Sequence, residues 1–190
     1  MLMNKIVFNN MPQGVGKLNF ALRYIMNNIR SWFYFHIRYP WVKYTGFVRV
    51  MPHCHIIKRD IVFGNNVQLG RGTWIITDVH FGNNILVAGQ VSFVGRNDHS
   101  YDKTCQYIWD SQRGGSNPIL VKDDVWIGHS SIILSGVILG EGCIIAAGSV
   151  VTCDIPPCEI WGGVPARKIK DRFDNLEKRE AHLKYIRRNG

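Results

Sequence analysis

A six-residue repeat runs through two long stretches of this sequence and constrains the fold more than any other feature. In the second stretch an aliphatic residue recurs at every sixth position, and a small or branched residue follows each one four positions later. This period matches neither a helix nor simple strand alternation. It predicts a short strand and a bend per repeat, with three repeats closing one triangular coil of an all-β, parallel solenoid. The leading residues are Val121, Ile127, Ile133, Leu139, Ile145 and Val151, and their companions are Val125, Ser131, Val137, Cys143, Ser149 and Ile155.

The first stretch follows the same rule, and we expect Met51 and Ile57 to extend its register backwards. The period breaks between Phe93 and Val121, because their spacing is not a multiple of six. The polar segment 98–118 therefore predicts a functional loop ejected from one corner. The leading residues are Phe63, Leu69, Ile75, Phe81, Val87 and Phe93, with companions Val67, Thr73, Val79, Ile85, Val91 and Asn97.

Helical patterns flank the repeats. An apolar stripe predicts a helix from Lys17 to about Arg38, which Pro40 ends. The aromatic and basic residues of segment 17–44 either pack against the solenoid or a neighbouring subunit, or contact a membrane surface or a lipid-linked substrate. A helix near the C-terminus is expected to cover the open end of the solenoid. The predicted divisions are a helical segment over 1–46, the solenoid over 47–165 and a helical tail over 166–190. The apolar stripe of the predicted N-terminal helix consists of Leu18, Leu22, Ile25, Ile29 and Phe33.

Charge and cysteine content restrict the partners and the compartment. The net charge of +9 favours an anionic partner, but no nucleic-acid reader motif is present. Five cysteines without a CxxC pair, and no apolar run long enough for a secretion signal, indicate the cytoplasm. The long apolar stretch 126–151 is not predicted to span a membrane, because it contains His129, Glu141 and the six-residue phase.

The last coils also resemble a known family. They read VWIGHSSIILSGVILGEGCIIAAGSVVTCDIPP followed by WGGVPARKIK, which resembles the hexapeptide-repeat acyltransferases, whose fold is a left-handed parallel β-helix. The NDHSYD segment resembles the sugar and polysaccharide O-acetyltransferase branch. The resemblance covers about residues 47–170 and implies a homotrimer with acetyl-CoA bound between subunits and a sugar, sugar-nucleotide or polysaccharide acceptor. No metal is expected. One departure is Cys153, at a position that is often lysine in relatives.

The resemblance also assigns candidate site residues. His99 matches the catalytic histidine, and a neutral imidazole suits removal of a hydroxyl proton near neutral pH. Asp102 is the favoured orienting carboxylate and Asp98 the alternative; His80 and Asp98, which the period places one full coil apart, form a predicted supporting pair. Cofactor-binding candidates are Trp126, Gly128, Ala147, Gly148, Arg167 and Lys168, and acceptor-binding candidates are Tyr101, Tyr107, Trp109 and Asn84.

Outward apolar residues are expected to form one exposed strip that supports the trimer. The strip would consist of Trp126, Ile132, Ile138, Ile144 and Val150.

The function expected from these features is acetyl-CoA-dependent O-acetylation of a sugar hydroxyl in polysaccharide or lipopolysaccharide synthesis. An N-acetyltransferase for an amino-sugar nucleotide, a serine-type acetyltransferase and a non-catalytic scaffold are alternatives. A zinc hydratase is a further alternative, although His53, His80 and His99 do not make a persuasive ligand set.

Overall fold

Three parallel sheets surround one apolar interior in the computed structural model, which describes residues 11, 13–115 and 117–189. Successive strands enter sheets A, B and C in turn, and each strand pairs with its equivalent in the next coil. The predicted parallel β-solenoid is therefore confirmed. Sheet A contains β1 (Lys43–Tyr44), β4 (Ile61–Phe63), β7 (Val79–Phe81), β10 (Ile119–Val121) and β13 (Ile138–Leu139); sheet B contains β2 (Val48–Val50), β5 (Val67–Leu69), β8 (Ile85–Val87), β11 (Trp126–Ile127), β14 (Ile144–Ile145), β16 (Glu159–Gly162) and β17 (Arg167–Asp171); sheet C contains β3 (His55–Ile56), β6 (Trp74–Ile75), β9 (Ser92–Val94), β12 (Ile132–Leu134) and β15 (Val150–Val151).

The interior is formed by the residues that the six-residue period selects. All the inward positions of the second stretch, from Val121 to Ile155, are buried. In the first stretch the predicted positions are buried too, except for Asn97, which is exposed because the chain has already left the coil. Burial of each aliphatic side chain stabilises the fold by about 1.5–3 kcal/mol, so stacking of coils is the main source of stability.

The register predicted for the first coil is wrong by one residue. Val50 and Ile56 occupy the buried positions, whereas Met51 and Ile57 are only partly buried. In sheet C, His55 pairs with Trp74, and Trp74 pairs with Ser92 in the following coil. The spacing from His55 to Trp74 is one residue longer than the spacing from Trp74 to Ser92. The extra residue lies in the corner after β3, which is one residue longer than the corner after β6.

Amide and carboxylate side chains connect successive coils at the corner between sheets A and B. The side-chain oxygen of Asn65 accepts a hydrogen bond from the Phe47 N–H at 2.9 Å. Asn83 accepts from the Asn65 N–H at 2.7 Å, and Asp123 accepts from the Asn83 N–H at 2.8 Å. These bonds satisfy corner N–H groups that no strand pairing reaches.

The predicted N-terminal helix is present. Helix α1 (Lys17–Phe33) continues into a π-helical turn (Tyr34–Arg38) and stops before Pro40. It packs on sheet B, where the Tyr24 ring stacks on Phe47 with centroids 4.9 Å apart. The irregular start expected for residues 1–16 lies largely outside the described residues. Within the described part, neither helix is long and apolar enough to cross a membrane.

The C-terminal helix does not cover the open end of the solenoid as expected. Helix α2 (Leu176–Asn189) instead packs along the corner between sheets A and B. His182 Nε2 lies 2.8 Å from Asp124 Oδ2, and Arg187 donates to Glu141 at 2.9 Å. Carboxylates at this corner therefore hold α2 in place. The preceding strand, β17, pairs antiparallel with β16 at the edge of sheet B.

The prediction of a single apolar strip on the outside is also wrong. Trp126 and Ile144 point outward from sheet B, Ile132 and Val150 belong to sheet C, and Ile138 belongs to sheet A. Residues six apart lie on successive faces of a triangular coil, so an outward series with this spacing is divided among the three sheets.

The burial of the five cysteines predicts two reactivity classes. All five thiols are free; Cys105 and Cys153 are exposed, while Cys54, Cys143 and Cys158 are buried. Burial raises the pKa of Cys143 to about 12, so almost no reactive thiolate forms there at neutral pH. We expect iodoacetamide to modify only the two exposed thiols of the native protein, and all five after denaturation, as measured by peptide mass spectrometry. Rapid native modification of Cys143 would contradict the buried position.

Candidate active site

The ejected loop leaves the solenoid after β9 and returns at β10, at the corner between sheets C and A. Its base is held to two later coils. The Arg96 N–H donates to Ser135 Oγ at 2.9 Å, and the Arg96 guanidinium donates to the Thr152 carbonyl. Across the loop, the Ser100 N–H donates to the Gln112 carbonyl at 3.0 Å. These bonds give the segment a defined path without a hydrophobic core of its own.

His99 lies in this loop, partly buried, with Nδ1 3.3 Å from the Ser111 hydroxyl oxygen. That hydroxyl donates its one hydrogen to the Ile108 carbonyl at 2.7 Å. It can therefore only accept from His99, which assigns the ring hydrogen to Nδ1 on the basis of the hydrogen-bond network. Nε2 then carries the lone pair, and this is the tautomer that a general base needs.

The two candidate carboxylates have other surroundings in this structure. Asp102 accepts from the Ser100 hydroxyl at 2.7 Å, and this hydrogen bond lowers the pKa of the exposed Asp102 carboxyl. Asp98 is exposed, and its carboxylate covers Gly95 so closely that an added Cβ would lie 2.2 Å from Oδ1. Neither is the hydrogen-bond partner of His99, whose described partner is Ser111.

The predicted pair of His80 and Asp98 is not formed. His80 Nε2 lies 2.8 Å from Asp60 Oδ2 on sheet A, and Lys43 binds the other oxygen of the same carboxylate. Hydrogen bonds from His80 and Lys43 lower the pKa of Asp60. A separation of one full coil does not bring Asp98 beside His80, because the chain leaves the coil before it reaches Asp98.

The loop carries the three predicted aromatic side chains and leaves them open to solvent. Tyr101, Tyr107 and Trp109 are 79%, 81% and 90% exposed. Asn84 lies elsewhere, at the corner between sheets A and B, where it accepts from the Asn66 amide at 2.9 Å. A single chain therefore does not place Asn84 beside the loop.

The cofactor-binding candidates share sheet B and the corner that follows it. Trp126 points outward from β11 and is half exposed. Gly128 approaches the next coil so closely that an added Cβ would lie 2.5 Å from the Ala147 nitrogen. Ala147 and Gly148 are exposed at the corner, and Gly148 has a positive φ of 69°.

The basic candidates lie on β17, at the edge of the same sheet. Lys168 donates to Glu159 at 2.8 Å and to Asp171 at 2.9 Å, and these hydrogen bonds raise the pKa of Lys168. Arg167 is exposed and donates to the Ala166 carbonyl at 2.9 Å. Of the two cations, Arg167 is the one without a carboxylate partner among the described residues.

The repeat region of the chain is similar in sequence to known proteins. Residues 118–153 match the family model described as bacterial transferase hexapeptide (six repeats). The chain is therefore similar to hexapeptide-repeat transferases over these residues. It is 34% identical to galactoside O-acetyltransferase of Escherichia coli (strain K12), over 59% of this chain and 57% of the relative. It is 36% identical to 2,3,4,5-tetrahydropyridine-2,6-dicarboxylate N-acetyltransferase of Staphylococcus aureus (strain JH9), over 38% and 30%. The chain thus spans little more than half of the first relative and less of the second.

Solved structures share the hexapeptide-repeat fold. AntD, an N-acyltransferase from Bacillus cereus in complex with dTDP and 3-hydroxybutyryl-CoA, has a TM-score of 0.58 at 19% identity, over 78% of this chain and 81% of that one. The polySia specific acetyltransferase NeuO has a TM-score of 0.53 at 21% identity, over 77% and 72%.

Sequence reasoning missed Ser111, the hydrogen-bond partner of His99. The two residues belong to different parts of an irregular loop, so no periodicity relates them. No group of three or more metal-ligating side chains with the geometry of a metal site occurs in the part of the chain that the structure describes.

Proposed function

We propose that this protein transfers an acetyl group from acetyl-CoA to a sugar hydroxyl in polysaccharide or lipopolysaccharide synthesis. The observation that carries the proposal is the contact between His99 and Ser111, which leaves the Nε2 lone pair available in a loop with exposed aromatic rings. The names of two similar proteins, a galactoside O-acetyltransferase and a polySia specific acetyltransferase, support a sugar acceptor.

The proposed reaction is a direct transfer in which His99 moves one proton. The acceptor hydroxyl gives its hydrogen to His99 Nε2 while its oxygen attacks the thioester carbonyl carbon. The carbon–sulfur bond then breaks, and the departing CoA sulfur takes the proton from the imidazolium. The products are an acetyl ester and CoA with a free thiol. A positioned base of this kind contributes about 10²- to 10⁴-fold to the rate.

We assign the CoA arm to the groove along sheet B. Trp126 and the exposed backbone at Ala147 and Gly148 would contact the pantetheine. Gly128 has no Cβ, which lets the next coil lie close against it beside this groove. Arg167 would meet the CoA phosphates, because Lys168 is already neutralised by two carboxylates.

The site is proposed to be completed in a homotrimer. The loop leaves one edge of the solenoid and the CoA-binding candidates follow another, with sheet C between them in a single chain. A neighbouring copy would bring the loop of one chain to the groove of the next, which supports the trimer. The five free thiols fit a reducing compartment, which supports a cytoplasmic location.

The test is a transfer assay with acetyl-CoA and matched hydroxyl and amino sugars. We expect acetylation of hydroxyl acceptors, with a product that mild base cleaves because it is an ester. Acetylation of only the amino sugars, with a base-stable amide product, would instead support the N-acyltransferase alternative suggested by the likeness to AntD.

CoA binding is measured separately by thermal unfolding. A ligand present at about 100 times its Kd stabilises the native state by about 2.7 kcal/mol. We therefore expect CoA to raise the melting temperature, and Arg167→Gln to reduce the rise. If CoA leaves the melting temperature unchanged, the non-catalytic scaffold becomes the better explanation.

A further inference from the structure

Helix α1 presents its apolar stripe to solvent and buries its more polar side. Tyr24 and Ser31 face the solenoid, where the Ser31 hydroxyl donates to the Val48 carbonyl. The opposite side carries five large apolar residues spaced by three or four positions, all roughly half exposed or more. They form the α1 stripe: Leu18 (73%), Leu22 (51%), Met26 (62%), Ile29 (53%) and Phe33 (48%).

Three arginines lie at this helix without an ion-pair partner among the described residues. Arg23 and Arg30 project from α1 on one side of the α1 stripe, and Arg49 projects from β2. Arg23 and Arg49 line a cavity of about 290 Å³ between helix and sheet. Arg30 and Arg49 each donate to a neutral amide, but their Nε atoms are buried without a hydrogen-bond partner.

The positive charges of the three arginines also interact unfavourably with one another. Burial, and then the positive charges of Arg30 and Arg23, lower the pKa of Arg49. Like charges held this close and partly desolvated are unfavourable unless an anion joins them. The cluster is therefore arranged for a phosphate-like ligand.

The charge of the whole chain is concentrated in the same region. From Met1 to Arg59 there are nine Lys and Arg and no Asp or Glu, whereas the remainder of the chain contains fourteen of each sign. The whole net charge of +9 therefore belongs to the segment that carries α1. Trp32 and Ile37, 43% and 57% exposed, extend the apolar surface beyond the α1 stripe.

We infer that α1 binds the surface of an anionic lipid membrane, with the α1 stripe in the acyl-chain boundary and Arg23, Arg30 and Arg49 on lipid phosphates. A helix with an apolar side, flanking basic residues and aromatic neighbours is suited to lie in the plane of such an interface. A second copy of this chain is a poorer occupant, because it would bring two unneutralised positive segments together. This binding does not depend on acetyl transfer, so either proposal can fail alone.

The experiment is flotation of the full-length protein with vesicles, without CoA or acceptor. We expect binding to vesicles of phosphatidylglycerol and phosphatidylcholine, and little binding to vesicles of phosphatidylcholine alone. Replacing Arg23, Arg30 and Arg49 together by Gln should weaken binding about 100-fold, since each basic residue near the surface contributes roughly fivefold. Leu22→Ser with Met26→Ser should weaken it about tenfold or more.

Matched controls lie on α2. Replacing Lys178, Lys184 and Arg188 by Gln removes the same charge, and Leu176→Ser with Tyr185→Ser removes exposed apolar side chains of similar size. These variants should bind vesicles like the parent, and circular dichroism should show an unchanged fold for all variants. Equal loss with the α2 variants would mean that only net charge or apolar content matters, and would overturn the inference.

The oligomeric state separates a membrane from a second copy. Light scattering should give the same molecular mass for the parent and the α1 stripe variant in the absence of lipid. A smaller mass for the variant, together with no vesicle binding by the parent, would show that the α1 stripe is a subunit interface and the inference wrong.

Discussion

His99→Ala is expected to lower the rate of acetyl transfer by about 10²- to 10⁴-fold, because in the proposed reaction the acceptor hydroxyl loses the group that removes its proton. The binding of CoA should be almost unchanged, since His99 is not among the sheet B residues assigned to the cofactor. The measurement is kcat and KM for both substrates, with a CoA melting-temperature shift on the same preparation. A rate within about tenfold of the parent would show that His99 is not the base.

Two further variants make that result specific. His55→Ala removes an exposed histidine in the first coil, outside segment 98–118, whose ring packs on Trp74, and should leave kcat within about twofold of the parent. Ser111→Ala removes the acceptor that fixes the Nδ1 hydrogen of His99. It should lower kcat with little effect on KM, whereas Ser111→Thr, which keeps a hydroxyl, should recover most of the loss.

Phe63→Ala is expected to cost about 3–5 kcal/mol of unfolding free energy, which is the range for truncation of a fully buried phenylalanine. Phe63 has no exposed surface, stacks on Phe81 with ring centroids 4.7 Å apart and also contacts Phe35 at 5.7 Å. Removal of its ring leaves a cavity between the first coils and the N-terminal segment. For a chain of this size the melting temperature should fall by about 6–20 °C.

The control for this effect is Tyr185→Ala, which removes an aromatic ring that is 65% exposed on α2. Its unfolding free energy should stay within about 0.5 kcal/mol of the parent. Denaturant unfolding should be measured at equal protein concentrations, because association into the proposed trimer would contribute to apparent stability. Similar losses for both variants would contradict the position of Phe63 in the interior of the solenoid.

The fold was predictable because the period itself marks the inward positions. Ile133 and Leu139 differ in their neighbours, but each lies six residues from the next leading residue and both are fully buried. The first coil was less predictable for an equally simple reason. Val50 stands beside Met51, so two adjacent registers place an apolar side chain inside, and only the length of a corner decides between them.

The position of α1 and the surroundings of His99 could not be predicted from periodicity. The α1 stripe shows that the helix has an apolar side, but the side that meets the solenoid is decided by contacts such as the bond from Ser31 to the Val48 carbonyl. The partner of His99 depends on the path of an irregular loop, which brings Ser111 to the ring and takes Asp102 to Ser100. Local spacing carries no information about either contact.

The strand pairing across the ejected loop has a consequence for how this fold can change. Ile119 pairs directly with Val79, just as Val79 pairs with Ile61 in the preceding coil, although the whole loop lies between β9 and β10 along the chain. The inserted segment interrupts no ladder, so lengthening, shortening or exchanging it leaves the stacked coils and the sheet B groove intact. Under the proposed function, acceptor preference can therefore diverge by exchange of one external segment, while the scaffold and the surface assigned to the donor are inherited unchanged.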